Sequence, residues 1–582
     1  MIWRTQKERK YAVLRTSFAL LAAFTLLFTP PTRAAEPAAS VTGRHGMVVS
    51  TQSLASQVGA AVLRKGGNAI DAAVAVGYAL AVVHPAAGNI GGGGFMTIRF
   101  ADGRTRFLDF RERAPGAATP TMFQDADGTV IPALSNVGYL AVGVPGTVRG
   151  LSAALADYGT RPLAELIAPS IRLAEKGFTL RHGDIDMIAT AAPLLAKDPA
   201  AAVIFLRHGL PKPGARLRQK QLAATLRLIA EQGPDAFYRG RIADAIVAAS
   251  TAHRGVLQKS DFENYQMHQR DPITCQYRGF DITTAAPPSS GGITLCEALN
   301  ILEGYDLAAL GYHSAGSLHV IAEAMRLSFF DRNKSLGDPD FVVNPSDHLL
   351  DKGYAAELRG KIAPDRATPS LSLGSVAAPP EGRHTTDYVV VDQAGTAVSV
   401  VYTLNDWFGA KVVAGDTGIL LNNEMDDFAA KPGEPNEDGL VTGDSNAIRP
   451  GKAPLSSMAP TIMAKDGQTL LTIGSFGSGT IITSILQAIV NLVDYHMTLS
   501  QAIDAPRIHQ QWLPDSIAYD AGAFDDATAL GLREMGYSLS LGTQSGASEA
   551  ILTGGDRLAA YKPGLLVGAN DRRAPVGAAI GW

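Results

Sequence analysis

Cysteine is the scarcest feature of this 582-residue chain: only Cys275 and Cys296 occur. A disulfide-built scaffold is therefore excluded; in an oxidising compartment the two can pair, and two buried free thiols fit the count equally well. Histidine and cysteine never cluster at metal-ligand spacing, so a metal-dependent mechanism is disfavoured and no cofactor is expected. Long runs of like charge are also missing. With Lys plus Arg at 51 against Asp plus Glu at 55, nothing forms an electrostatic footprint for nucleic acid or an anionic membrane, and a small neutral or zwitterionic substrate fits better. No segment beyond the N-terminus has the roughly 20 apolar residues of a membrane span. The stretch 68–83 is apolar, yet it carries Asp71 and stops at His84-Pro85, as a buried helix would. Internal repeats are absent.

The N-terminus carries the clearest signal. Arg4, Lys7, Arg9, Lys10 and Arg15 precede a short apolar run at 18–28, Pro30 and Pro31 break it, and Thr32 and Ala34 suit a signal-peptidase site. Residues 1–34 are therefore expected to be a signal peptide, the mature chain to start near Ala35, and the product to be periplasmic or secreted with no membrane attachment. Gly 60 and Pro 33 exceed typical usage, which implies many tight turns around a mixed α/β core. Apolar spacing over 51–83 predicts two packed helices interrupted at Gly66-Gly67. The glycines at 91–94 lead into a strand; no Lys-Ser/Thr follows and no helix opens, so close backbone approach is favoured over phosphate binding. A short strand at 106–110 ends at Arg111, and 146–355 reads as mostly helical.

The texture then changes. Residues 362–384 are rich in Pro, Ser, Gly and Ala without a period, a linker signature. Directly afterwards 388–391 and 397–404 read as two strands joined by the turn Asp392-Gln393-Ala394-Gly395. Thr385-Thr386 stands at this junction. By itself it is a pair of β-formers opening a strand. If the peptide bond before Thr385 is cut, however, one residue supplies both a hydroxyl nucleophile and, through its freed amine, with a reference pKa near 8, the base.

The surrounding motifs change that balance. TTDYVVVDQAGTAVSVVYTLNDWFG, GILLNNEMDDFAAKPGEPN, PLSSMAPTI, IGSFGSGTIITS and, upstream, GGNAIDAAVA, HPAAGNIGGGGFM, LDFRERAP and LGDPDF follow one another. In order and spacing, over nearly the whole mature chain, they resemble the gamma-glutamyltransferase family. The resemblance implies an Ntn-hydrolase fold, a four-layer αββα sandwich of class α/β (α+β), built jointly by a large subunit (35–384) and a small subunit (385–582) cut between His384 and Thr385. It implies that Thr385 is the nucleophile and that Thr403 orients it through a hydroxyl hydrogen bond. Gly477 and Ser478 would supply oxyanion N–H groups. Asn405, Glu424 and Asp427 would hold a substrate α-ammonium, and Arg111, Ser456 and Ser457 its α-carboxylate.

Three positions depart from the family pattern. Asp387 replaces a histidine and lies close enough to the new amine to raise its pKa or hamper cutting. Ser478 replaces a glycine, which it can do if it avoids positive φ. Asp438 falls where the family's lid has an aromatic. The expected activity is cleavage of the γ-glutamyl amide of glutathione or related compounds, with transfer to water or to amino acids and peptides. The rival readings are a glutaryl-specific cephalosporin acylase, against which the retained ammonium-binding residues argue, and an inactive, unprocessed relative.

Overall fold

The computed structural model describes residues 40–374, 384–432, 434, 443–542 and 546–582. The expected signal peptide, Asp438 and part of the linker lie outside these. Ala38–Trp582 form one unit.

Two seven-stranded antiparallel sheets stack face to face. One runs in the order Ala578–Gly581, Gly46–Ser50, Thr386–Asp392, Ala397–Thr403, Gly93–Arg99, Thr105–Phe110, His268–Arg270. The other runs Val41–Gly43, Leu566–Asn570, Ser548–Thr553, Gln468–Ser475, Thr461–Lys465, Phe280–Thr284, Ile273–Tyr277. Residues on both sides of the expected cut thus pair within each sheet; Thr386–Asp392 lies between Gly46–Ser50 and Ala397–Thr403. Successive side chains of this strand alternate between faces. Val389 and Val391 pack with Ile462 and Ile551 of the opposite sheet, while Tyr388 and Val390 join the helical cluster. Burial on both faces explains why the strand reads as a continuous apolar run.

The helices Ser53–Arg64 and Ala69–Val83 cover the outer face of the first sheet, and Gly291–Leu302, Ala315–Ser335 and Thr480–Val493 cover the second. The result is the αββα sandwich. Every residue of Ala69–Val83 is buried, Asp71 included. That carboxylate caps its own helix through the Asn68 N–H at 2.9 Å and takes the Thr160 N–H at 2.8 Å and the Arg161 N–H at 3.1 Å, so its charge is met by donors. The glycine run is a close approach: a Cβ on Gly91 would lie 2.1 Å from the Leu420 carbonyl oxygen and one on Gly92 2.0 Å from that of Thr403.

Two expectations need revision. The stretch 146–355 is mostly helical but also contains five short strands, Phe178–Thr179, Arg216–Leu217, His268–Arg270, Ile273–Tyr277 and Phe280–Thr284, too short to show a period of their own. The first part of the linker is docked. The Ser370 N–H donates to Asp515 at 2.8 Å, the Trp512 indole N–H to the Ser370 carbonyl at 2.8 Å, and the Ala367 N–H to the Met535 carbonyl at 2.7 Å. Cys275 and Cys296 form a disulfide that ties an edge strand to the helix Gly291–Leu302. Among the described residues no helix is long and apolar enough to cross a membrane.

Candidate active site

The hairpin presents Thr385 at the start of its strand, in a pocket that also receives Arg111, Thr403, Asn405, Glu424 and Asp427. Ser456, Ser457 and Ser478 line the same pocket. Thr386 turns the other way, its hydroxyl 2.7 Å from that of Thr51. The Thr403 hydroxyl donates to the His384 carbonyl oxygen at 3.0 Å and accepts from the Asn405 N–H at 2.8 Å. In the uncut chain it therefore polarises the carbonyl of the His384–Thr385 bond, directly beside the Thr385 it is expected to orient.

Arg111 follows the strand Thr105–Phe110 and is wholly buried. Its guanidinium donates to Glu424 and Asp427, and also to the carbonyl oxygens of Pro454 at 3.2 Å and Leu455 at 3.4 Å. The groups expected to hold opposite ends of a zwitterion are thus paired with each other in the structure. Glu112, passed over in the sequence, lies 3.6 Å from Arg111. Burial pushes Glu112 up to about 7 and Glu424 well above the usual carboxylate range. Glu112 and Glu424 crowd one guanidinium in a buried site, so burial and mutual repulsion disfavour the charged form of each while Arg111 favours it. Asn446 was also missed. It donates to the Asp427 carbonyl at 2.7 Å and accepts from the Leu455 N–H at 2.9 Å, joining the two walls.

Arg332, on the helix Ala315–Ser335, is the third omission. Its guanidinium donates to Ser290 Oγ at 2.8 Å, Asn333 Oδ1 at 2.6 Å and Ser457 Oγ at 3.0 Å. A guanidinium only donates, so Ser457 accepts and its own hydrogen can turn into the pocket. Ser456 Oγ likewise accepts from the Met458 N–H at 3.1 Å. The two hydroxyls are thereby set as donors, as an anionic ligand group requires. Arg332→Lys keeps the charge and loses the fork; KM for a γ-glutamyl anilide should rise about tenfold, roughly 1.4 kcal/mol, with kcat nearly unchanged, as initial-rate kinetics would record.

Ser478 lines the pocket, with Gly477 directly before it. Gly477 has φ +126°, and a Cβ there would fall 2.4 Å from Thr480 Oγ1. Ser478 has φ +56°, the region the sequence reading required it to avoid, at a cost of about 1–2 kcal/mol for a residue with a Cβ. Both stand just before the helix Thr480–Val493, whose N-terminal N–H groups and dipole favour negative charge.

A sequence profile described as Gamma-glutamyltranspeptidase matches residues 55–581. The chain belongs to that family. It is 52% identical over 548 residues to the glutathione hydrolase proenzyme of Pseudomonas sp. (strain A14), covering 94% of this chain and 95% of the relative. With the Escherichia coli (strain K12) glutathione hydrolase proenzyme it shares 46% over 537 residues, 92% and 91% of the two chains. Among solved structures, a cephalosporin acylase from Bacillus halodurans superposes with a TM-score of 0.81 at 27% identity, covering 96% of this chain and 99% of that one.

Against the transpeptidase family pattern, the structure explains how Asp387 is accommodated. Its side chain lies between the sheets over Gly474, where a Cβ would come 2.6 Å from Asp387 Oδ2, and that oxygen accepts the Glu549 N–H at 3.2 Å. The Glu549 carboxyl is buried beside it, and among the described residues neither its oxygens nor Asp387 Oδ1 has a donor. Burial first, and neighbouring carboxylates second, raise both groups well above the usual range. The raised value disfavours negative charge on Asp387 two residues from Thr385. Because the folded-state values are raised, the stabilisation is complete below the ordinary carboxyl pKa of about 4 and is lost as pH rises through them. Asp387→Asn, whose amide can donate to Glu549, should stabilise the protein at pH 8 by about 1–3 kcal/mol and change little at pH 4; thermal melts at the two values test this.

Proposed function

We propose that the chain is an exported, self-processing N-terminal threonine enzyme that cleaves the γ-glutamyl amide of glutathione and similar compounds and passes the acyl group to water or to amino acids and peptides. One observation carries the reading: Thr385 follows a carbonyl already held by the Thr403 hydroxyl, in the same pocket as Arg111, Glu424 and Asp427. Thr385 Oγ adds to the His384 carbonyl carbon, the C–N bond breaks, and water hydrolyses the resulting ester. The large subunit then ends at His384 and the small subunit begins at Thr385; the two stay together because each sheet contains strands of both.

In the catalytic cycle the freed amine takes the proton of Thr385 Oγ as it attacks the donor's γ-carbonyl, and returns it to the leaving amine. The Gly477 and Ser478 N–H groups face the developing oxyanion. Arg111, Ser456 and Ser457 take the α-carboxylate, while Asn405, Glu424 and Asp427 take the α-ammonium. Likeness to a cephalosporin acylase favours glutaryl substrates as a second reading, but a glutaryl group has no ammonium to engage these carboxylates. Purified wild-type protein at neutral pH should run as two fragments on a denaturing gel and release glutamate from glutathione. An intact chain that lacks only its N-terminal segment would refute the proposal.

A further inference from the structure

The pocket has a buried floor and a partly exposed rim. Arg111 and Glu424 side chains are 0% and 1% exposed, against 13% for His384 and 22% for Asp406. At the mouth the His384 imidazole stacks on the Trp407 indole, ring centroids 3.8 Å apart and planes 21° from parallel. Its Nε2 lies 3.4 Å from Asp406 Oδ1, and the other Asp406 oxygen pairs with Lys411. The loop bearing these groups is fixed from several directions. The Asp406 N–H donates to Asn423 Oδ1 at 3.0 Å and the Phe408 N–H to the Ala86 carbonyl at 2.7 Å. Asn405, Phe408 and Lys411 all have positive φ, +75°, +63° and +61°. Such conformations persist only where surrounding structure enforces them, and they concentrate at ligand clamps.

We propose that the Asp406–Trp407 face is the acceptor subsite, selective for amino acids and short peptides that carry an imidazole or aromatic ring. The assignment rests on the γ-glutamyl-transfer reading. In the uncut chain the face is filled by the side chain of His384, the residue whose own carbonyl reacts, so a ring seated there lies one side chain from the reacting carbon. Cutting detaches His384 from Thr385 and makes the face available. The donor's amino-acid end belongs on the floor with Arg111 and Glu424, which leaves the mouth to the departing amine and to the acceptor that replaces it. Indole offers a flat π surface and Asp406 Oδ1 an acceptor for a ring N–H. The acceptor's α-amine nitrogen then attacks the γ-glutamyl ester carbonyl; a C–N bond forms, the ester C–O bond breaks, and the amine proton reaches Thr385 Oγ through the Thr385 amine.

The test uses the full-length processed enzyme with a γ-glutamyl anilide as donor, measuring hydrolysis alone and transfer to histidine, phenylalanine, alanine and glycylglycine. Wild type should prefer histidine and phenylalanine over alanine by about tenfold in kcat/KM. Trp407→Ala should bring both down to the alanine level and leave hydrolysis within twofold, while Trp407→Phe retains the preference. Trp407→Leu, apolar and bulky without a π face, should behave as Trp407→Ala and serves if the latter does not mature. Wild-type indifference to the acceptor's ring, or an equal loss across all acceptors and hydrolysis in the Trp407 variants, would overturn the subsite alone. Absence of any γ-glutamyl turnover in wild type would overturn the function reading and the subsite with it.

Discussion

Thr385→Ala should leave one uncut band on a denaturing gel and depress γ-glutamyl turnover by at least about 10⁴-fold, the scale seen when a nucleophile is deleted from a covalent mechanism. The loss is double. Without the hydroxyl there is no attack on the His384 carbonyl, and without the cut there is no free α-amine to act as base. Alanine fills nearly the same buried space, Thr385 being 7% exposed, so the melting temperature should stay close to that of wild type. Thr385→Ser keeps hydroxyl and amine and should still process, more slowly, because the lost methyl no longer limits rotation about χ1. Two bands from Thr385→Ala would move the cleavage chemistry to another residue. Thr403→Ala is the informative companion. Removing the donor to the His384 carbonyl should slow processing without blocking it, since the nucleophile remains.

Much of this arrangement was legible in the sequence where local signals agreed. The helices on either side of Gly66-Gly67, the hairpin after Thr385 and the glycine approach at 91–94 each follow from period, turn chemistry or absence of a Cβ. The site residues could be read only through their motifs, because a lone arginine after a strand or an acidic pair in a turn carries no signal of its own. What stayed hidden depends on long-range geometry. The Arg111 partners lie more than 300 residues away, and Glu112 looks like an ordinary turn residue until its burial beside Arg111 is known. Arg332 sits on a helix whose sequence shows no functional period, and only tertiary packing brings it to Ser457. The φ of Ser478 is equally beyond sequence: serine at that position advertises a conformation opposite to the one the chain adopts.

The last expected result concerns donor choice, for which two chromogenic anilides suffice: γ-glutamyl and glutaryl, identical except for the α-ammonium. Both present a carboxylate to Arg111, Ser456 and Ser457, so that end does not discriminate. Hydrogen bonds from an ammonium to Glu424 and Asp427 contribute roughly 1.5–3 kcal/mol each. Part of this is offset, because both carboxylates must loosen their hold on Arg111 to receive it. A remainder of about 2.7 kcal/mol still corresponds to a hundredfold preference for the γ-glutamyl anilide in kcat/KM. Asp427→Asn should cut γ-glutamyl turnover by tenfold or more. It should leave glutaryl turnover unchanged or higher, since Arg111 then faces one fewer competing anion and meets the shared carboxylate more freely. Equal turnover of the two anilides by wild type would remove the ammonium from the recognition scheme and favour the acylase reading.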